Sequence, residues 1–437
     1  VDDHDAIAGL SRAALDRRLD GSAASPVVVA FSGGGDSLAL LIGARRWAAA
    51  VGRPLLAVTI DHRLQSGGAV WARWCAERSD RFGLAHRVLA WDGEKPLSGV
   101  PAAARAARHA LLAQAARDAG ARVILMGHTA DDRLESRVMR QAGGSVPEPR
   151  EWGPSPVWPE GRGLFVLRPL LNVRRADLRE RLAQAGETWL DDPANEDSRH
   201  PRVRARLLLA GGGEPTRALS PPGPRFDHLT IDPAGEITFG PRASRPRFLG
   251  PALLCASGSD RPPRGDRLDR LRTRIDSGES FIATLAGARV ECAGAVVRIT
   301  REAGDIARAG AGSRPLPTGS PIVWDGRFEL TARIDGLTVA PLAGRAARLD
   351  HRRRAALSRL SPAARKALPV IVDGTGRVTA PLFAPDERVC LRSLIADRLL
   401  AACGAVDNEA DARVHSENAP DTLNRLSSSK RRVHEPA

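Results

Sequence analysis

Over the first 170 or so residues, short apolar runs alternate with stretches whose apolar residues recur at helical spacing. Val27–Phe31, Leu55–Ile60, His86–Trp91 and Val123–Met126 read as strands, and an apolar run resumes from Phe165 to Leu171. Most are continuously apolar, the pattern of a parallel sheet covered on both faces. Leu38–Ile42 begins a helix after the first strand. Gly68–Phe82 places Val70, Trp74 and Cys75 on one side of a second helix. Pro101 to Ala119 reads as an Ala/Arg helix with proline in its first turn. A fourth helix opens after Gly127, and Arg174 to Ala185 predicts a charged one. Ahead of the first strand, Ile7, Leu10, Ala14, Leu15 and Leu19 predict a helix packed on the sheet edge.

The pattern then changes. Residues 143–165 are rich in Gly, Pro and Trp and read as an irregular insertion. Gly211-Gly212-Gly213 signals a linker. We divide the chain into a catalytic domain (1–210), a small middle α+β domain (211–310), a C-terminal α+β domain (311–405) and a disordered polar tail (406–437). In the third segment, helices are expected at 345–368 and 390–403. The fold class is therefore α/β in the N-terminal domain, with smaller α+β domains behind it.

The most informative stretch joins the first strand to its helix: Ser32-Gly33-Gly34-Gly35-Asp36-Ser37. Glycines let a backbone turn sharply and bring its N–H groups close to a ligand. The helix N-terminus that follows has unpaired donors and a partial positive charge. Together these form a phosphate site. The loop has no GK[ST] and is not a Walker A loop. Asp36 would repel bare phosphate, and a bridging Mg²⁺ reconciles the two.

Gly127-His128-Thr129-Ala130-Asp131-Asp132 follows the fourth strand, with Glu135 one turn later. Asp132 and Glu135 share a helix face, suited to Mg²⁺ or a cationic amine. Helix capping by Thr129 or Asp131 is the plainer use of the same residues. Arg105 and Arg108 are a turn apart beside His109, and Arg202, Arg204 and Arg206 alternate along a basic run. Both patterns suit phosphate, and both also suit a solvated basic surface. The loop, Asp61-His62 and Gly127–Asp132 all fall at strand C-termini, where ligands of parallel sheets bind.

Net charge is +14 over 437 residues, almost all of it arginine, which favours a polyanionic partner. No apolar run approaches the length of a membrane span. The five cysteines are scattered and contain no CxxC pair, against a disulfide scaffold, a zinc ribbon or a cysteine-based sulfur carrier. The acidic first residues carry no signal-peptide pattern. A cytoplasmic location is the expectation.

Ser32–Ser37 matches the SGGxDS signature of the PP-loop ATP pyrophosphatases. With Asp61-His62, the 127–135 motif, Arg168-Pro169-Leu170-Leu171, Asp192-Pro193-Ala194-Asn195 and the spaced arginines, residues 25–206 resemble the tRNA(Ile)-lysidine synthetases. The chain departs from that pattern at Arg63–Gln65, at Gly143–Val146, at Val203, and at His109, where tyrosine is common. The resemblance implies an adenine nucleotide α-hydrolase-like fold. It implies that ATP adenylates the carbon-2 oxygen of the wobble cytidine in an isoleucine tRNA, after which L-lysine displaces AMP. It further implies ATP binding by Ser32, Gly33, Gly34, Gly35, Asp36, Ser37, Gly127 and His128, with Mg²⁺ held by Asp36. Asp36, Asp132 and Glu135 would be catalytic, and Arg105, Arg108, Arg202, Arg204 and Arg206 would contact tRNA or ATP phosphates. A homodimer is a further expectation. The alternatives are another adenylating tRNA-modifying enzyme, such as a thiolase, and a nucleotide- and RNA-binding protein without turnover.

Overall fold

The apolar run at 27–30 forms a strand whose three valines are fully buried, and the glycine loop after it starts a helix buried almost all round. The computed structural model describes residues 3–64, 67–143, 146, 148–191, 201–209, 229–241, 246–308 and 312–412. The chain forms two compact units, Val1–Pro222 with Val406–Arg413, and Gly223–Ala405 with Val414–Ala437.

The first unit runs α1 (Asp3–Arg18), β1 (Val27–Ala30), α2 (Gly35–Val51), β2 (Leu55–Asp61), α3 (Gly68–Arg81), β3 (Ala85–Ala90), α4 (Val100–Asp118), β4 (Val123–Leu125), α5 (Ala130–Gln141), β5 (Trp152–Pro154), β6 (Phe165–Leu167), α6 (Arg175–Gln184) and α7 (Pro201–Leu209). Its six-stranded sheet has the order β3-β2-β1-β4-β6-β5. All pairings are parallel except β5 with β6. Successive strands move outward from β1 in one direction, then β4 returns to its other side. This reversal opens a crevice beyond the C-termini of β1 and β4, the place where such sheets bind ligands. On one face, Leu112, Ala113 and Ala116 of α4 pack on Val28, Val58, Ile124 and Val166.

Four local expectations differ. The first helix packs along α2 rather than on a sheet edge. β3 is itself an edge strand, with Val88 exposed, because the mixed His86-Arg87 sequence leaves it a poor core strand. The stretch 143–165 contains β5, whose Trp152 ring stacks on Phe165 with centroids 4.9 Å apart. Residues 406–412, assigned to the tail, belong to the first unit, with Val406, Glu409 and Ala412 buried and a helical turn at 409–412. Residues 413–437 of that tail, the linker at 211–213 and Asp192-Pro193-Ala194-Asn195 lie outside the described residues.

In the second unit, β7 (Thr230–Ile231), β8 (Ile237–Phe239), α8 (Pro246–Ser257), α9 (Gly265–Asp276), β9 (Phe281–Leu285), β10 (Ala288–Ala293) and β11 (Val296–Arg301) give an antiparallel sheet ordered β7-β8-β11-β10-β9. Two smaller sheets follow. The apolar core does not break near residue 310: Ile237, Phe248 and Ile299 share one buried cluster with Phe328, Val339 and Leu399. The helix expected over 345–368 is split, by Ser361-Pro362 among others, into short pieces at Ala346–Arg348, His351–Leu357 and Pro362–Lys366. The one expected over 390–403 is a strand, Val389–Ser393, and then a helix, Ile395–Cys403. Among the described residues, no helix is long and apolar enough to cross a membrane.

Candidate active site

The loop after β1 is fixed by its own hydroxyls. The Ser32 backbone N–H and Oγ–H both reach Ser37 Oγ at 3.2 Å, and Ser37 Oγ–H donates to the Gly34 carbonyl at 2.8 Å. Gly33 has φ +81°, a conformation costly for any residue with a Cβ. A Cβ there would also lie 2.9 Å from Trp71 Nε1 and 3.0 Å from Leu190 Cδ1. Trp71 Nε1–H donates to the Ser32 carbonyl at 2.6 Å, and the Leu190 N–H to the Gly33 carbonyl at 3.0 Å. The ring of Trp189 lies beside Gly35. Trp71, Trp189 and Leu190 thus buttress the loop, a role their sequence context does not announce.

At the end of β4 the chain passes so close to this loop that only glycine fits. A Cβ on Gly127 would sit 2.9 Å from the Asp36 carbonyl oxygen and 3.1 Å from the Ser37 nitrogen. The next helix starts at once. Asp132 Oδ2 accepts from the Thr129 N–H at 2.9 Å and from Thr129 Oγ1–H at 3.1 Å, so Thr129 is the N-cap of α5 and Asp132 completes its capping box. Asp131 turns instead to α6, accepting its first N–H, that of Arg175, at 2.7 Å.

Arg175 joins the two motifs. Its Nε donates to Asp36 Oδ2 at 2.9 Å and its Nη1 to Glu135 Oε1 at 3.2 Å, while Nη2 lies 3.5 Å from Asp132 Oδ2. The i,i+3 spacing of Asp132 and Glu135 gives one helix face, as the sequence predicts, and α7 packs against α5. Arg206 Nε donates to Glu135 Oε1 at 2.6 Å. Arg202 sits 3.7 Å from Asp132 Oδ1 and 3.9 Å from Glu135 Oε2. The basic run is helical, so Arg202 and Arg206 face α5 while Arg204 is exposed. Glu135 is fully buried, and its Oε2 has no hydrogen-bond partner among the described residues.

The charges follow from these contacts. Burial raises the Asp36 carboxyl above its ordinary value, and Arg175 only partly offsets it. Burial works the same way on Asp132, but the positive charges around it, Arg175 and Arg202 among them, and the Thr129 N–H outweigh it and hold that carboxyl below the usual range. Arg175 is raised: burial is overcome by its three carboxylates.

Beside the acidic pair lies a basic cluster. Burial pushes Arg108 and Arg168 each down to about 10, with neighbouring arginines adding to the effect. Arg108 Nε is buried without a hydrogen-bond partner among the described residues, and so is His109 Nε2. Arg168 Nε donates to His128 Nδ1 at 3.2 Å. Burial lowers His128 strongly and brings His109 to about 3, so both rings are neutral near pH 7. Arg105, on the same α4, is exposed. A buried arginine N–H without a partner suits an anion. Thiol chemistry has little support here, since burial pushes Cys75, the cysteine beside Gly33, up to about 11.

The structure therefore brings Ser32–Ser37, Gly127, His128, Asp132 and Glu135 together, with Arg108, Arg202 and Arg206 beside them. Arg204 is exposed, and Arg105 stands at the exposed edge of the cluster, its charge close to Arg108, Arg202 and Asp132. Arg175 escapes a reading of the sequence because nothing in the doublet Arg174-Arg175 distinguishes it from the other arginines of a charged helix. Arg168 stands in a recognisable motif that by itself assigns it no role.

Residues 10–210 match the family model described as a PP-loop domain. The chain is 50% identical over 407 residues to the tRNA(Ile)-lysidine synthase of Caulobacter vibrioides, covering 91% of this chain and 98% of that protein. It is 37% identical over 330 residues to the enzyme of the same name from Hyphomonas neptunium, covering 70% and 85% of the two chains. Among solved structures, the U34-tRNA thiolase NcsA of Methanococcus maripaludis is similar at 13% identity and a TM-score of 0.40, over 46% of this chain and 72% of that one, a likeness too slight to bear weight.

Proposed function

The chain belongs to the tRNA(Ile)-lysidine synthase family, and we propose that its glycine loop, acidic pair and arginine clusters divide that family's reaction between them. The activity is ATP-dependent formation of lysidine on tRNA(Ile). In our reading, the nucleophile is free L-lysine and the work is done in the cytoplasm, where tRNA is available.

The observation that carries the reading is the reach of Arg175, which touches a carboxylate of the nucleotide loop and both carboxylates of the second motif. Two sites so joined serve two reactants of one reaction. Ser32, Ser37 and the N–H groups of Gly33–Gly35 would hold the phosphates, donors aimed where charge develops as pyrophosphate leaves. Gly127 and His128 would line the nucleotide pocket. Asp36 is the residue that would hold Mg²⁺. It fits as a single anchoring carboxylate for a phosphate-bound ion, half-buried at a helix N-terminus and engaged by Arg175 through Oδ2. When bound, that ion supplies charge neutralisation to the departing pyrophosphate.

Glu135 and Asp132 divide differently from the sequence reading. Asp132 is committed to Thr129 and to arginines and is held in its charged form, which makes it a poor proton acceptor. It would orient by charge. Glu135 keeps one buried oxygen without a hydrogen bond among the described residues, the acceptor an incoming amine would use. Arg108, with Arg105 beside it at the edge of the same cluster, would meet a phosphate, and the exposed Arg204 would meet the tRNA backbone.

The test is incubation of the full chain with ATP, labelled lysine and bulk tRNA. Lysine entering tRNA with equal AMP release is the expected result, abolished in Asp36→Ala. AMP release without lysine transfer, or full activity in Asp36→Ala, would overturn it.

A further inference from the structure

We propose that Arg175 makes lysine binding depend on prior occupation of the nucleotide loop. This rests on the reading that the acidic pair receives the lysine amine. Without ligands, one guanidinium satisfies three carboxylates, one N–H group toward each of Asp36, Asp132 and Glu135. It occupies the side of Glu135 already shared with Arg206, and so supplies the positive charge that a substrate amine would bring. An ammonium group arriving at Oε2 then meets a resident cation that already neutralises the same carboxylates.

The loop can remove that competitor. Arg175 reaches the loop through Nε on Asp36 Oδ2. A triphosphate carries several negative charges, and a guanidinium prefers a phosphate to a lone carboxylate because it can engage it with two parallel donors. Arg175 lies next to the α2 N-terminus, where the phosphates are expected, and only its side chain has to turn, since its backbone is fixed by Asp131. Once drawn to the phosphates, it leaves Asp132 and Glu135 with Arg202 and Arg206, and with room for a new cation. Bound nucleotide thus tightens the binding of lysine. By linkage, lysine must tighten nucleotide binding by the same factor.

The experiment is calorimetric titration of L-lysine into the full chain, with and without Mg²⁺ and α,β-methylene-ATP, an analogue not cleaved at the bond in question. The wild type is expected to bind lysine at least about fivefold more tightly with the analogue, the lower end of ordinary coupling. In Arg175→Gln the two affinities are expected to become equal, with that of the nucleotide-free protein at or above wild type. Arg175→Lys, which keeps the charge but not the three-way fork, is expected to fall between and serves if Arg175→Gln does not fold. A wild type without coupling, or an Arg175→Gln variant that keeps it, overturns the proposal. So does a folded Arg175→Gln variant whose nucleotide-free lysine affinity drops, because Arg175 would then be a brace for the lysine pocket rather than its competitor. Glu135→Gln separates the two claims: if it leaves lysine affinity untouched with the analogue present, the acidic-pair reading itself has failed.

Discussion

Arg53 and Glu409, 356 positions apart, close on each other through two hydrogen bonds of 2.6 Å, with both side chains wholly buried. Arg53 also donates to the Ser25 and Asp20 carbonyls, and Glu409 Oε2 accepts the Asp20 N–H at 3.1 Å. Trp152 Nε1–H reaches the Val406 carbonyl at 2.9 Å. Residues 406–412 are therefore part of the unit that carries the six-stranded sheet, although the chain reaches them only after passing through the other unit. Removing one partner of a buried pair leaves an uncompensated charge, and Glu409→Ala is expected to cost about 3–5 kcal/mol. Urea unfolding followed by a signal from the first unit measures it. A loss below about 1 kcal/mol, the scale of a surface pair, would mean that the segment is not docked as described.

Gly127 gives a second prediction. The atoms its Cβ would meet are the Asp36 carbonyl and the Ser37 nitrogen, both backbone, so neither can rotate away. Gly127→Ala must push the start of α2 aside, and with it the loop's phosphate donors. A displacement near 1 Å at such a site costs about a hundred-fold in activity. Steady-state kinetics should show this as a raised KM for ATP with the protein still folded. An unchanged KM would separate the β4 terminus from the nucleotide site.

How much of this is legible in the sequence depends on what each feature rests on. The loop and the strands beside it rest on local sequence: β-branched runs, adjacent glycines and a helix start are visible without tertiary knowledge. The shared face of Asp132 and Glu135 follows from helical spacing alone. Arg175 and Glu409 rest on contacts across 139 and 356 positions, where no periodicity points. The alternating arginines mislead in a different way. At positions 202, 204 and 206 they suggest three equivalent phosphate contacts, whereas helical geometry puts two toward α5 and one outward.

His109 makes stability depend on pH. Its folded value is brought to about 3 by burial and by Arg108 and Arg105, against an ordinary value of 6.5. The unfolded chain therefore binds the proton first as pH falls. The stability this neutral ring allows is complete above pH 6.5 and declines toward pH 3. Between about pH 7.5 and pH 5 the loss from this group is roughly 2 kcal/mol. Burial lowers His128 as well, so it acts in the same direction. Chemical denaturation at the two pH values should show a smaller acid loss in His109→Gln than in the wild type. Equal losses would mean that His109 is already solvated in the folded protein.

The two faces of α7 supply the last prediction. Arg206 donates to Glu135 at 2.6 Å, and its neighbours Val203 and Ala205 are buried, whereas Arg204 is exposed. A phosphate contact made by an exposed arginine acts through released counterions, so its removal weakens binding of any tRNA and flattens the salt dependence. Arg204→Gln should reduce the slope of log affinity against log salt by about 0.7–0.9 if it meets one phosphate. Arg206→Gln should leave that slope nearly unchanged and alter the KM for lysine instead, because the charge it removes lies on Glu135. Filter binding of tRNA across a salt series, paired with lysine kinetics, reads both. If Arg206→Gln flattens the slope and Arg204→Gln does not, the helix presents the opposite face to RNA and the assignment of Glu135 to the amine loses its nearest support.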